Sequence, residues 1–187
     1  KLAWWRNETA AIYSGSAKHP VAAALAALLP DFNIAEPRLQ EIIDGMEMDL
    51  TQRRYRDFGA LQKYCHLVAG VVGLVSAEIF GYRDPRTLEY AENLGMAFQL
   101  TNIIRDVGED ARRDRIYIPV DELARFNVTA TDIMQGRHSK AFEHLMTFQT
   151  DRALDYYARA MSLLPQEDRR AQRPGLVMAA IYRSLLE

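Results

Sequence analysis

The chain has 187 residues, 49% hydrophobic and 26% charged, which is enough for one sizeable core and too apolar for a disordered segment. A formal net charge of −2, from 23 basic and 25 acidic side chains, gives no electrostatic case for nucleic-acid binding. The single cysteine, Cys65, excludes an internal disulfide and any multi-cysteine zinc or iron–sulfur site.

No basic stretch followed by an apolar run opens the chain in the manner of a signal peptide. The most apolar stretch, residues 67–80, contains Ser76 and Glu78 and is shorter than the roughly 20 residues of a membrane span. The expectation is a soluble, cytoplasmic protein.

In chain order the punctuation predicts helix after helix. Residues 1–13 form the first, ended near Gly15. Pro20, after His19, sits at a first helical position and opens residues 21–29. Pro37 opens another, with Leu39, Ile42, Ile43, Met46 and Leu50 spaced as a core-facing stripe. Asp57 is the predicted N-cap of a helix over 58–80, closed by Gly81. Asp84-Pro85 opens the next, running to Asp110. Pro119 starts a short helix, Ser139 a long one that Pro165 ends, and residues 174–187 a last one. Residues 115–119 come nearest to a strand pattern, too short for a sheet. The sum is an all-α bundle of seven or eight helices in a single domain. Lys1 opens without Met or cap, and the last helix stops without Gly, Asn or Pro, so a longer parent chain, truncated at both ends, is expected.

The residues with chemistry in them lie between 97 and 119. Gln99, Asn102, Asp106 and Asp110 fall on one helical stripe, two amides and two carboxylates between apolar flanks. Like charges four residues apart repel, the more so when buried, and a hard divalent cation offsets that repulsion. Mg2+ is held typically by one or two carboxylates together with substrate phosphates, and Arg105 offers a guanidinium fork to such a phosphate. An isolated pair of this spacing carries little weight: Asp151 and Asp155 repeat it beside Arg152 and Arg159, which reads as a solvated face. Asp114, among Arg112, Arg113 and Arg115, reads as local charge balance.

The stretch from Gln99 to Pro119, with Asn102-Ile103-Ile104-Arg105-Asp106-Val107-Gly108-Glu109-Asp110 at its heart, resembles the second aspartate-rich motif of the squalene and phytoene synthases. Tyr64-Cys65-His66-Leu67-Val68-Ala69-Gly70-Val71-Val72-Gly73 resembles a second segment of that family. Gly45-Met46-Glu47-Met48-Asp49-Leu50 with Arg54-Tyr55 resembles its bacterial branch, which includes presqualene diphosphate and phytoene synthases.

The resemblance implies an isoprenoid-synthase bundle that condenses two prenyl diphosphates head to head. It implies Asn102, Asp106 and Asp110 as Mg2+ ligands, Arg105 as a partner of the diphosphate, Gln99 as a lining residue and Tyr64 as a catalytic tyrosine. Gly70 and Gly73 would admit either a neighbouring helix or the isoprenoid chain, and Leu67, Val71, Leu74 and Phe98 are candidate walls or core. Cys65 and His66 point in different directions on a helix and are taken as structural.

The family's first aspartate-rich motif and its C-terminal segment have no counterpart here, so the chain alone is expected to be inactive. Farnesyl diphosphate, giving presqualene diphosphate or squalene, is the expected substrate; geranylgeranyl diphosphate, giving phytoene, is the alternative. A non-catalytic assembly factor is a further alternative, against which the intact Asn102, Arg105, Asp106 and Asp110 argue. A di-iron bundle is excluded by the lack of Glu-x-x-His pairs. No glycine-rich dinucleotide fingerprint supports NADPH. Greasy substrates leave peripheral membrane contact open, though no basic amphipathic face announces it.

Overall fold

A computed structural model describes residues 1–186. Among them are eleven α-helices: α1 (Leu2–Tyr13), α2 (Pro20–Leu28), α3 (Glu36–Thr51), α4 (Phe58–Cys65), α5 (Val71–Phe80), α6 (Arg86–Arg105), α7 (Val107–Arg112), α8 (Val120–Arg125), α9 (Ala130–Met134), α10 (Lys140–Leu163) and α11 (Arg173–Arg183). The eight predicted helices become eleven because two of them split and α9 is added. A π-helical turn, His66–Gly70, separates α4 from α5, and Asp106 separates α6 from α7. α9 is short, but its start carries a full capping box between Thr129 and Asp132. Asp57 caps α4 as expected, accepting from the Ala60 N–H at 2.9 Å.

α6 is the axis, with α10 packed on one side and the α4–α5 rod on the other. Its buried residues Tyr90, Leu94, Ala97, Leu100 and Thr101 meet Ala153, Tyr157 and Ala160 of α10, and Cys65 and Ala77 of the rod. Each large apolar side chain taken out of water there contributes about 1.5–3 kcal/mol. The rod approaches so closely that glycine is required. A Cβ on Gly73 would lie 2.3 Å from the Ala91 carbonyl oxygen, and one on Gly95 would lie 2.3 Å from that of Ala69. Gly73 therefore serves helix packing, and Gly95 is its unforeseen partner.

The start of α6 is tied down from the far end of the chain. Asp168, fully buried, accepts from the backbone N–H groups of Arg83 (2.8 Å) and Asp84 (3.1 Å) and from the Thr87 hydroxyl (2.7 Å). These bonds hold its carboxyl below the usual range although burial pushes the other way.

Three expectations need correction. Leu39, Ile42 and Ile43 are half-buried, but Met46 and Leu50 stand exposed, because the tight contact of α3 is made by Gly45 against Leu67 and Val68. The helical run Phe58–Phe80, with mean hydropathy 1.4, is long and apolar enough to cross a membrane once residues 58–66 are counted. In this fold it packs against α3 and α6. Arg152 is not solvated: it lies in a short ion pair with Glu122, with its guanidinium 3.9 Å from the Phe58 ring centroid.

The extended stretch after α7 is also informative. Among the described residues, the one β-bridge pairs Arg54 with Ile116, in parallel. It is reinforced by Ile116 N–H to the Arg53 carbonyl (3.2 Å) and Val120 N–H to the Tyr55 carbonyl (2.8 Å). Asp114, at positive φ, binds Arg53 (3.0 Å) and Arg54 (2.7 Å) across this junction, so its charge is balanced from a distance and not by its neighbours.

Candidate active site

α6 delivers the amides. Asn102 Nδ2 faces Gln99 Oε1 at 3.4 Å, and Asn102 Oδ1 is buried without a hydrogen-bond partner. The helix then breaks at Asp106 (φ −97°, ψ 6°), where a continuous helix was expected. The register survives the break: Asp106 N–H reaches the Asn102 carbonyl at 2.8 Å and Asp110 N–H the Asp106 carbonyl at 2.9 Å. Gln99, Asn102, Asp106 and Asp110 consequently line one polar pocket of about 220 Å³, joined by Arg105 and Tyr117.

The two carboxylates are in different states. Asp106 is gripped by Arg105, with Nε to Oδ1 at 2.7 Å and Nη2 to Oδ2 at 2.6 Å. Adjacent side chains on a regular helix do not face each other, so the backbone break makes this pair possible. It holds the Asp106 carboxyl low and raises the Arg105 guanidinium. Arg105 was expected to point at a diphosphate; here it folds back on its neighbour.

Asp110 makes no ion pair among the described residues, and burial together with the nearby Asp106 charge pushes its carboxyl up. An orphaned buried amide oxygen and an unneutralised carboxylate in one pocket are a donor set for a hard divalent cation. The described residues bring no three His, Cys, Asp or Glu side chains together, so this pocket alone is not a complete ligand set.

Tyr64 does not line this pocket; Tyr117 does. Tyr64 lies buried behind Tyr117, the ring centroids 5.4 Å apart and nearly parallel, with Tyr55 stacked 5.8 Å from Tyr117. All three phenols are pushed up, chiefly by burial. The Tyr64 hydroxyl donates to Asp49 Oδ1 at 2.9 Å and the Tyr117 hydroxyl to the same atom at 2.7 Å. Arg115 pairs with that oxygen at 2.6 Å. Burial works to raise the Asp49 carboxyl, but Arg115, Tyr117 and Tyr64 hold it below the usual range. Asp49 and Tyr117 were assigned no role from the sequence, and Arg115 was read only as local charge balance for Asp114. A signal existed: in residues 116–118 the two isoleucines are buried, which turns Tyr117 to the opposite side.

Beside the polar pocket runs an apolar cavity of about 290 Å³ between α5, α6 and α11, sharing Gln99 and Asn102 with it. Val68, Val72, Leu94, Phe98 and Met178 line it, and Phe80 and Gln172 belong to it too. Of Leu67, Val71, Leu74 and Phe98, named as walls or core, Phe98 lines this cavity. Leu67 and Val71 are buried on other faces of the rod, and Leu74 does not reach the cavity. Cys65 is buried, its thiol pushed up by burial, while His66 Nδ1 meets Glu92 at 2.8 Å; the two do point apart.

A family model described as squalene/phytoene synthase matches residues 1–187. The chain belongs to that family. It is 36% identical over 196 residues to a phytoene synthase of Arthrospira platensis and 37% identical over 195 to a 15-cis-phytoene synthase of Synechococcus elongatus. Each alignment covers 98% of this chain and 63% of the relative, so the chain spans less than two thirds of their length. Among solved structures, squalene synthase HpnC from Alicyclobacillus acidocaldarius superposes with a TM-score of 0.91 at 24% identity, over 99% of this chain and 70% of that one; this shows the shared all-α fold. A dehydrosqualene synthase crystallised with a ligand superposes with a TM-score of 0.86 at 27% identity, over 98% and 65%.

Proposed function

We propose that the protein of which this chain is part condenses two prenyl diphosphates head to head. The observation that carries the reading is the meeting of a polar pocket and an apolar cavity at Gln99 and Asn102. A prenyl diphosphate has the same two halves, a highly charged head and a hydrocarbon tail, joined at the bond that breaks. Asn102, Asp106 and Asp110 would hold Mg2+, which when bound neutralises charge on the departing diphosphate.

The chain's own residues do the rest. Arg105, whose two-point pair with Asp106 is partly exposed to solvent, is placed to exchange onto diphosphate oxygens. Tyr117 lines the pocket where positive charge would develop and is the aromatic group placed to meet it. The apolar lining would shield the allylic cation from water once its exposed members Val72, Phe80 and Met178 are covered.

Farnesyl diphosphate is the favoured substrate, supported by the bulky Phe80, Phe98 and Met178 in the apolar cavity. A second reading, geranylgeranyl diphosphate, is one isoprene unit longer and is supported by the phytoene synthase relatives. Incubating the full parent chain with Mg2+ and either radiolabelled diphosphate, then analysing the products, decides between them. Consumption of neither would contradict the condensation itself.

A further inference from the structure

We propose that Asp49 is a positioning residue for this reaction, fixing Tyr64, Tyr117 and Arg115 so that Tyr117 is held at the polar pocket with its phenolic proton turned away to Asp49. The inference rests on the condensation proposed above. One oxygen, Asp49 Oδ1, receives the Tyr64 hydroxyl (2.9 Å), the Tyr117 hydroxyl (2.7 Å) and Arg115 Nη1 (2.6 Å), while Arg115 Nη2 binds the Asp49 backbone carbonyl at 2.6 Å. An ionised carboxylate only accepts, so both phenolic protons are committed to Asp49. The Tyr117 oxygen also accepts from Arg115 Nη1 at 3.1 Å and its ring is stacked with Tyr55 and Tyr64, so what it presents to the pocket is a phenol fixed in place with no proton to donate there. Arg115, already paired with Asp49, adds little net positive charge to the place where the allylic cation forms.

A purely structural tie between the end of α3 and the segment after α7 is the plainer alternative. The Arg115 ion pair alone would provide it, and it explains neither why two tyrosine hydroxyls converge on the same oxygen nor why the stack is phenolic throughout. Tyr55, the third ring, keeps its hydroxyl buried without a partner, which lowers stability and which phenylalanine would avoid.

The test uses the full-length enzyme. Asp49→Asn preserves shape and a neutral acceptor but removes the charge that makes such hydrogen bonds roughly twice as strong. The expected result is a kcat lower by about tenfold, KM for the prenyl diphosphate within about twofold, and an unchanged circular dichroism spectrum. In a Tyr64→Phe, Tyr117→Phe background the same substitution should cost no further activity, the signature of a residue acting through its neighbours. An unchanged kcat, a loss confined to KM, or an undiminished loss in that background would overturn the proposal.

Proton NMR of the phenolic hydroxyls reads the arrangement apart from activity. One downfield resonance should vanish in Tyr64→Phe and another in Tyr117→Phe, and both should move in Asp49→Asn; resonances that ignore Asp49→Asn overturn the proposal. Should Asp49→Asn not fold, Tyr117→Phe carries the kinetic test with the same expected result, and full activity in it is equally fatal. A wild-type enzyme that consumes no prenyl diphosphate defeats the condensation reading alone, while the resonances still decide the role of Asp49 as anchor.

Discussion

Two arginine–aspartate pairs flank the polar pocket, and they are built in opposite ways. Arg105 and Asp106 are neighbours in sequence, brought face to face by a helix break, with side chains 44% and 34% exposed. Arg115 and Asp49 are 66 residues apart, 23% and 30% exposed, and share their contact with two tyrosines. The first pair costs little to open, because an exposed pair contributes only about 0–1 kcal/mol. The second is locked by several donors at once. The proposed function would use one pair of each kind, the first to admit a highly charged diphosphate and the second to hold the aromatic groups still.

The sharpest way to break this contrast is at the carboxylates facing the pocket. Asp106→Asn or Asp110→Asn in the parent enzyme should lower turnover by on the order of 10²–10³, the scale seen when one preorganised electrostatic group is lost. Helical circular dichroism should stay the same; a collapse of the fold would instead make these acids structural. Next in size is Arg115→Gln, which leaves the partly buried Asp49 carboxylate without its cation. A loss of about 1–3 kcal/mol is expected, or roughly 2–4 °C of melting temperature per kcal/mol at this chain length.

Acid should separate the pairs more finely. The Asp49 carboxyl is held below its usual range, so the stability it contributes is complete above the unfolded pKa near 4 and is lost as pH falls through the lower folded value. Melting temperatures between about pH 5 and pH 2 should therefore fall less steeply for Asp49→Asn than for the wild type. Asp168, also held low, follows the same sign and accounts for part of the slope that remains. Smallest of all is Arg105→Gln, expected within about 0.5 kcal/mol of the wild type in stability. Its effect should appear in KM for the prenyl diphosphate; a large drop in melting temperature would mean the pair is not exchangeable.

The same contrast explains what could be read from the sequence. Helices announced themselves through Pro20, Asp57, Gly81 and Ser139, because caps and turns are local chemistry. Asn102, Asp106 and Asp110 were legible because a helical stripe converts spacing directly into proximity, and the break at Asp106 preserved that spacing. Asp49 lay in a segment that carried the family resemblance, yet nothing local gave it a task. Its partners reach it only after the 52–56 and 114–121 stretches are joined by the Arg54–Ile116 bridge and the Asp114 ion pairs. Gly95 was silent for a related reason: the need for it comes from the Ala69 carbonyl on another helix. Leu67 and Val71, named as walls or core, proved to be core, because an apolar rod buries more than one face and hydrophobicity does not say which face meets a cavity.

The most direct measurement is Mn2+ binding to the parent enzyme by electron paramagnetic resonance, with and without an unreactive thio-diphosphate analogue of farnesyl diphosphate. Tight binding that needs the analogue and is lost in Asp110→Asn is the expected result. Binding of the same strength in wild type and Asp110→Asn would contradict the assignment of this pocket to the metal and the diphosphate.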